Sequence, residues 1–345
     1  DKIITFVLMK LLRKILLPLN LVYFIVTYAR NKLYDWNLFK SVSFDFPVIG
    51  VGNLSVGGTG KTPLVEYLIK TFRIDYKIAV LSRGYGRKSK GFVLSQVDTD
   101  VKIIGDEPFQ IKNKFPNIEV AVDNNRQNGI SRLIKLDTNP DVVILDDSFQ
   151  HRKVNPGLSI LLTPFDSLFC DDFLLPAGNL RESTIGSSRA QIIIVTKCPS
   201  ILTDIEKKKI HQKLKINKQQ RLFYSSIVYD NSIYSAKKTK SIKYLTKQKF
   251  TLVTGIANST PLVNYLNSLG LKYDHLKFSD HHEYKNSDLK LISSKPLVLT
   301  TEKDHSKLNL VDHNSIYYLP IKVKIENSNE FDNSIKKFIG RYQAN

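Results

Sequence analysis

Val48-Ile49-Gly50-Val51 is a short apolar run bounded by glycine, and it leads through Gly52-Asn53-Leu54-Ser55-Val56 into Gly57-Gly58-Thr59-Gly60-Lys61-Thr62. The run reads as a buried strand. The residues from about Thr62 to Phe72 read as a helix, and the glycine-rich turn lies between the two. Glycines in such a turn let consecutive backbone N–H groups curl around phosphate oxygens, and the helix N-terminus adds its partial positive charge. Lys61 is then placed to reach β- and γ-phosphates, and the Thr62 hydroxyl to bind Mg²⁺. Gly57, Gly58, Thr59, Gly60, Lys61 and Thr62 are therefore the first candidate nucleotide ligands. The strict pattern has glycine at position 55, where this chain has Ser55.

The same alternation continues downstream. Strands are expected at Lys77–Leu81, Ile118–Val122, Pro140–Leu145, Leu158–Leu162 and Gln191–Val195, separated by helical stretches. That order predicts a parallel sheet covered by helices on both faces. Val142-Val143-Ile144-Leu145-Asp146-Asp147 ends an apolar strand in acid, which places carboxylates at the carboxyl edge of the sheet, where ligands bind in open α/β folds. Asp146 and Asp147 are thus candidate Mg²⁺ ligands. Past Leu222 the texture changes. Ser235–Lys249 is polar and lysine-rich and reads as a connector, and Phe250–Gly255 restarts an α/β pattern. A helix at Thr260–Leu269, a strand at Pro296–Thr300 and an apolar run at Ser315–Ile325 follow. The expected organisation is an N-terminal helix over 1–35, a nucleotide-binding domain over 36–222, a linker over 223–249 and a smaller α/β domain over 250–325. A final helix (329–345) should pack back on the first domain.

The chain has 51 Lys and Arg against 32 Asp and Glu, a formal net charge of +19 over 345 residues. Such a field attracts anions without ranking nucleic acid, acidic lipid and phosphorylated metabolites. Only twelve of the basic residues are arginines, and seven of these fall between Arg83 and Arg189. The planar guanidinium suits phosphate clamping, so Arg126, Arg152 and Arg181 are candidates for it. Cys170 and Cys198 form no CxxC pair, which fits a reducing compartment. Ile15–Ala29 is apolar apart from Asn20 and Thr27 and is flanked by Lys10, Arg13, Lys14, Arg30 and Lys32. As a helix it spans about 22 Å, short of a bilayer core. It reads as an interfacial helix with a basic collar, with a buried core helix as the alternative.

Six motifs occur in order: G-N-L-S-V-G-G-T-G-K-T-P (52–63), L-S-R-G-Y-G-R (81–87), G-D-E-P (105–108), L-D-D-S-F-Q-H-R (145–152), L-P-A-G-N-L-R-E (175–182) and F-S-D-H-H (278–282). Together they resemble the tetraacyldisaccharide 4′-kinases, the lipid A 4′-kinases of Gram-negative bacteria, over nearly the whole chain. That family's phosphate loop also lacks the first glycine. The resemblance implies a P-loop kinase-like fold with ATP and Mg²⁺. It implies γ-phosphate transfer to the 4′-hydroxyl of a tetraacylated glucosamine disaccharide 1-phosphate, with the enzyme peripheral at the cytoplasmic face of the inner membrane. Neither nucleic acid nor an obligate protein partner is implied. It makes Asp106 a catalytic carboxylate paired with His281, two residues that the chain separates by 175 positions. By the residues alone, Asp106-Glu107-Pro108 is an ordinary helix start and Ser279–His282 a capped one. Glu182, after Arg181, is a further candidate for the metal. Thr300–Asp304 also resembles a family motif and has no role legible in the sequence. Position 199 is Pro where a guanine-reading N-K-x-D would need Asp, so GTP specificity has no support. Two other readings compete: a basic P-loop ATPase acting on nucleic acid or membrane, and a soluble kinase of a polar metabolite.

Overall fold

The computed structural model describes residues 16–343 apart from 97, 236, 281 and 309–314. The chain opens with helix α1 (Leu17–Asp35) and strand β1 (Val48–Asn53), followed by α2 (Lys61–Phe72), β2 (Ile78–Ser82), β3 (Val93–Leu94), α3 (Val101–Ile104), α4 (Asp106–Lys114), β4 (Glu119–Val122), α5 (Arg126–Ile134) and β5 (Val142–Leu145). It continues through β6 (Leu158–Pro164), β7 (Ile192–Thr196), α6 (Asp204–Leu214) and β8 (Arg221–Tyr229). These strands build a nine-stranded sheet in the order β15-β8-β7-β6-β1-β5-β2-β4-β3, in which β15 is Ile321–Ile325. All neighbours from β8 across to β4 are parallel, and the two edge strands are antiparallel. Every residue of β1 is buried, as a parallel strand covered on both faces requires. Leu64, Leu68 and Phe72 of α2 pack on one face, together with Phe331, Ile335 and Ile339 of the closing helix α10 (Ser328–Gly340). Ile130 and Leu133 of α5 pack on the other face.

The second lobe is a six-stranded sheet, β10-β9-β14-β13-β11-β12. Its strands are β9 (Ser232–Tyr234), β10 (Thr239–Ser241), β11 (Phe250–Thr254), β12 (Tyr273–Lys277), β13 (Val298–Thr301) and β14 (Ile316–Leu319). Helices α7 (Thr260–Ser268), α8 (Asn286–Ser293) and α9 (Glu302–Leu308) complete it.

Two sequence expectations need correction. The segment 223–249 is not a linker: β8 extends the large sheet through Tyr229, and β9 and β10 form the edge of the small one. β8 buries Phe223 and Ser225 with period two, and beyond it Ile233, Ile242 and Leu245 are buried between polar neighbours. The run Ser315–Ile325 is likewise not one element of the small domain. It divides at Pro320, with β14 in the small sheet and β15 antiparallel to β8 in the large one. The lobes are therefore joined by two adjacent crossings, where Asp230 N–H donates to the Pro320 carbonyl at 3.1 Å.

Candidate active site

The phosphate loop leaves β1 at the centre of the large sheet, where β5 and β6 flank it on opposite sides, the crevice position of open α/β folds. Gly60 caps α2 with φ +94°, a left-handed conformation that excludes most side chains. A Cβ on Gly52 would lie 2.6 Å from Cβ of Phe149, so glycine there lets the Asp146–Phe149 turn close over β1. The loop is braced from β7: Thr196 Oγ1 donates to the Thr59 carbonyl at 2.7 Å and Lys197 Nζ to the Gly58 carbonyl. The Val195-Thr196-Lys197 run thus serves the loop's shape.

Lys61 lies at the head of α2, with its ammonium 3.2 Å from Asn53 Oδ1 and 3.4 Å from Asp147 Oδ1. Arg181 grips Asp147 with both prongs, at 3.1 and 2.9 Å, and also donates to the Asn53 carbonyl. Burial works against the charge of Asp147, but the Arg181 hydrogen bonds and the Lys61 ammonium prevail and hold its carboxyl well below the usual range. Its neighbour is the opposite case. Asp146 is 1% exposed, takes one long hydrogen bond from Ser82 Oγ (3.4 Å) on Oδ2, and has no partner on Oδ1. Burial, and then the nearby Glu107, push its carboxyl up to about 7. A buried carboxylate oxygen without a donor costs several kcal/mol unless a cation completes it. An unsatisfied carboxylate oxygen fits a divalent ion, which Asp146 would hold, with the Thr62 hydroxyl at the head of α2 as the other expected donor. Among the described residues no three His, Cys, Asp or Glu side chains converge as a metal cage. A Mg²⁺ held by one or two carboxylates plus substrate phosphates needs no such cage.

The other expected residues are placed as follows. Glu182 is buried and engaged: Oε2 accepts from Arg189 (2.8 Å) and Asn31 (3.1 Å), and Oε1 from Gln150 (3.1 Å). Those bonds tie Glu182 to the 145–152 segment and to Arg189. Arg126 is buried, donates to the Asp146 carbonyl at 3.4 Å and leaves Nε unpartnered; burial brings it down to about 10. It lines a cavity of about 250 Å³ with Asn124, Asn125, His151 and Lys153. Burial, then Arg126 and Arg83, bring His151 down to about 4, so it is neutral near pH 7. Arg152 faces α1, bonding the Asn31 carbonyl (2.7 Å) and Asp35 (2.8 Å), which separates it from Arg126 and Arg181 in role. Asp106 opens α4, where its Oδ2 lies 2.7 Å from Lys307 Nζ of the second lobe. His281, its expected partner, lies outside the described residues. His282 bonds Asp288 at 3.0 Å and packs on Phe278, so it is architectural.

Asn53, Gln150 and Lys307 join the site without having been expected there. Asn53 and Gln150 lie inside quoted motifs, so their signal was available. Lys307 had none beyond its nearness to Thr300–Asp304.

A central parallel sheet, a braced phosphate loop and an unsatisfied carboxylate beside the loop lysine define a P-loop nucleotide-dependent phosphotransferase. The family described as LpxK, tetraacyldisaccharide-1-P 4′-kinase, matches residues 12–340. The chain is 47% identical to the tetraacyldisaccharide 4′-kinase of Flavobacterium johnsoniae, over 96% of this chain and 98% of that one. It is 43% identical to that of Phocaeicola vulgatus, over 97% of each. The crystal structure of an "apo" form of LpxK from Aquifex aeolicus in complex with ATP is similar at a TM-score of 0.76 and 32% identity, covering 96% of this chain and 99% of that one. The chain belongs to the tetraacyldisaccharide 4′-kinase family.

Proposed function

We propose that this chain transfers the γ-phosphate of ATP to the 4′-hydroxyl of a tetraacylated glucosamine disaccharide 1-phosphate, working at a membrane surface. The observation that carries the site reading is the Asp146 carboxylate oxygen left without a donor, with the charges of Lys61 and Glu107 nearby. The Glu107 charge felt by Asp146 supports a role for the start of α4, where Asp106 lies, beside the phosphate site. The Lys61 ammonium, now beside Asp147, and the backbone N–H groups of 57–62 would hold the phosphates of ATP. Asp146 and the Thr62 hydroxyl would hold Mg²⁺, which would supply charge neutralisation at the phosphate oxygens. Asp106 accepts the proton of the 4′-hydroxyl as its oxygen bonds the γ-phosphorus and the bond to ADP breaks. The basic cavity beside Arg126 suits the acceptor's own phosphate.

The membrane reading rests on α1. Its polar residues turn inward: Asn20 accepts from Ala177 N–H (3.1 Å), Tyr23 donates to the Arg181 carbonyl (2.9 Å), and Asn31 donates to Glu182. Leu19, Leu21, Val22, Ile25 and Val26 point outward, each more than half exposed, with Trp36 and Leu38 beside the helix's end. A helix that shows solvent its apolar face matches the headgroup boundary better than water. No described helix is long and apolar enough to cross a membrane. Incubation with γ-labelled ATP tests the whole: label should pass to the lipid disaccharide and not to a soluble disaccharide, and Lys61→Ala should abolish it. Phosphate release stimulated by DNA, with no labelled acceptor, would favour the nucleic-acid ATPase instead.

A further inference from the structure

Thr300-Thr301-Glu302-Lys303-Asp304 takes no part in the phosphate site, yet it is tightly built. Asp304 is 1% exposed; its Oδ2 accepts from Gly255 N–H (2.9 Å) and Thr301 Oγ1 (2.7 Å), and its Oδ1 from Tyr284 OH (3.2 Å). The turn from β13 into α9 is thereby fixed to the end of β11 and to the segment that follows β12. What it fixes is the direction of α9.

That helix lies antiparallel along α4 of the first lobe. At one end Lys114 donates to Glu302 at 2.9 Å and to the buried Glu66 at 2.6 Å. At the other end, about 12 Å away along α4, Lys307 meets Asp106 at 2.7 Å, and its ammonium also points to the His282 carbonyl at 3.5 Å. Lys307 is largely covered, with 13% of its side chain exposed, so this is no loose surface pair. Asp106 sits in the first turn of its helix behind Gly105, where a short carboxylate can fold back onto backbone N–H groups. An ammonium from the opposite lobe draws one oxygen outward and sets the side chain's direction.

We propose that Lys307 is a positioning residue for Asp106, and that the Thr300–Asp304 motif is the platform that delivers it. The inference rests on the reading of Asp106 as the base. Because the two lobes are joined elsewhere by the crossings at Asp230 and Pro320, the Lys307–Asp106 contact forms only when α9 is docked on α4. The motif thus couples lobe docking to proton transfer without touching substrate.

Lys307→Met, which keeps the stem and removes the charge, is expected to lower kcat by roughly 10- to 100-fold, the scale of a 1 Å misplacement. The KM for ATP and the melting temperature should stay near wild type, and Lys307→Arg should recover most of the turnover. Turnover of Lys307→Met within about twofold of wild type overturns the proposal. So does a fall in melting temperature or ATP affinity that tracks the loss and that arginine does not repair, since that is a purely structural role. Asp106→Asn separates the two layers. If that variant stays active, the base assignment itself fails; if it is inactive while Lys307→Met is normal, only the positioning role fails.

Discussion

Asp146 and Asp304 occupy comparable places, each 1% exposed at or just past the carboxyl end of a central parallel strand, one in each lobe. Their surroundings differ. Asp304 accepts three hydrogen bonds from Gly255, Thr301 and Tyr284, whereas Asp146 has one long bond and an oxygen with no donor. A satisfied buried carboxylate is architecture: it pins a turn and has no capacity left. An unsatisfied one is a cost that the fold recovers when a ligand arrives. The contrast separates the lobe that carries the phosphate loop from the lobe that carries the Thr300–Asp304 turn.

The sharpest break in this comparison is Asp146→Asn. Loss of the metal's carboxylate should lower kcat by roughly 10³-fold or more, while stability in the absence of ligand holds or rises because a desolvated charge is removed. The pH dependence carries its own sign. With its carboxyl near 7 in the folded chain and about 4 unfolded, the folded state binds the extra proton between those values. Stability of the metal-free protein therefore falls as pH rises from about 4 to 7, and the variant should flatten that slope. Denaturant melts across the window, with and without Mg²⁺, are the check; a variant with the wild-type slope would show that another group carries it.

Asp304→Ala should do the reverse. Leaving the Gly255, Thr301 and Tyr284 donors unpaired should destabilise the second lobe by about 2–4 kcal/mol, with nucleotide affinity near wild type. An equilibrium melt paired with ATP titration decides it, and a stable variant with poor ATP binding would contradict the division between lobes.

The smallest effect on the fold, though not on localisation, is expected in α1. Changing Leu21, Val22, Ile25 and Val26 together to serine should weaken binding to anionic vesicles by roughly tenfold or more and leave the melting temperature unchanged, since all four are exposed. Unfolding of this variant with vesicle binding intact would return the helix to the core.

Much of the large lobe was legible because its information is local. The glycines of 57–60, the head of α2 and the strand ending at Asp146 are each specified by a few consecutive residues. The misreadings came where one stretch of chain serves two sheets. The 223–249 segment looked like a connector because the lysines of Ser235–Lys249 mask single buried residues such as Ile242 and Leu245, and 315–325 looked continuous because both halves are apolar. The charge of Glu182 was visible in the sequence, but not the Arg189, Asn31 and Gln150 donors that the fold brings to it.

By itself the sequence determined the phosphate loop, the parallel sheet that carries it, and the family to which the ordered motifs point, since all of these are properties of short contiguous segments. Tertiary structure decided which carboxylate remains open, which face α1 turns outward, and that Lys307 reaches Asp106 across 201 positions. Those outcomes depend on which donors other elements bring to a buried oxygen, and hydrogen bonds act over about 3 Å of space whatever the distance along the chain.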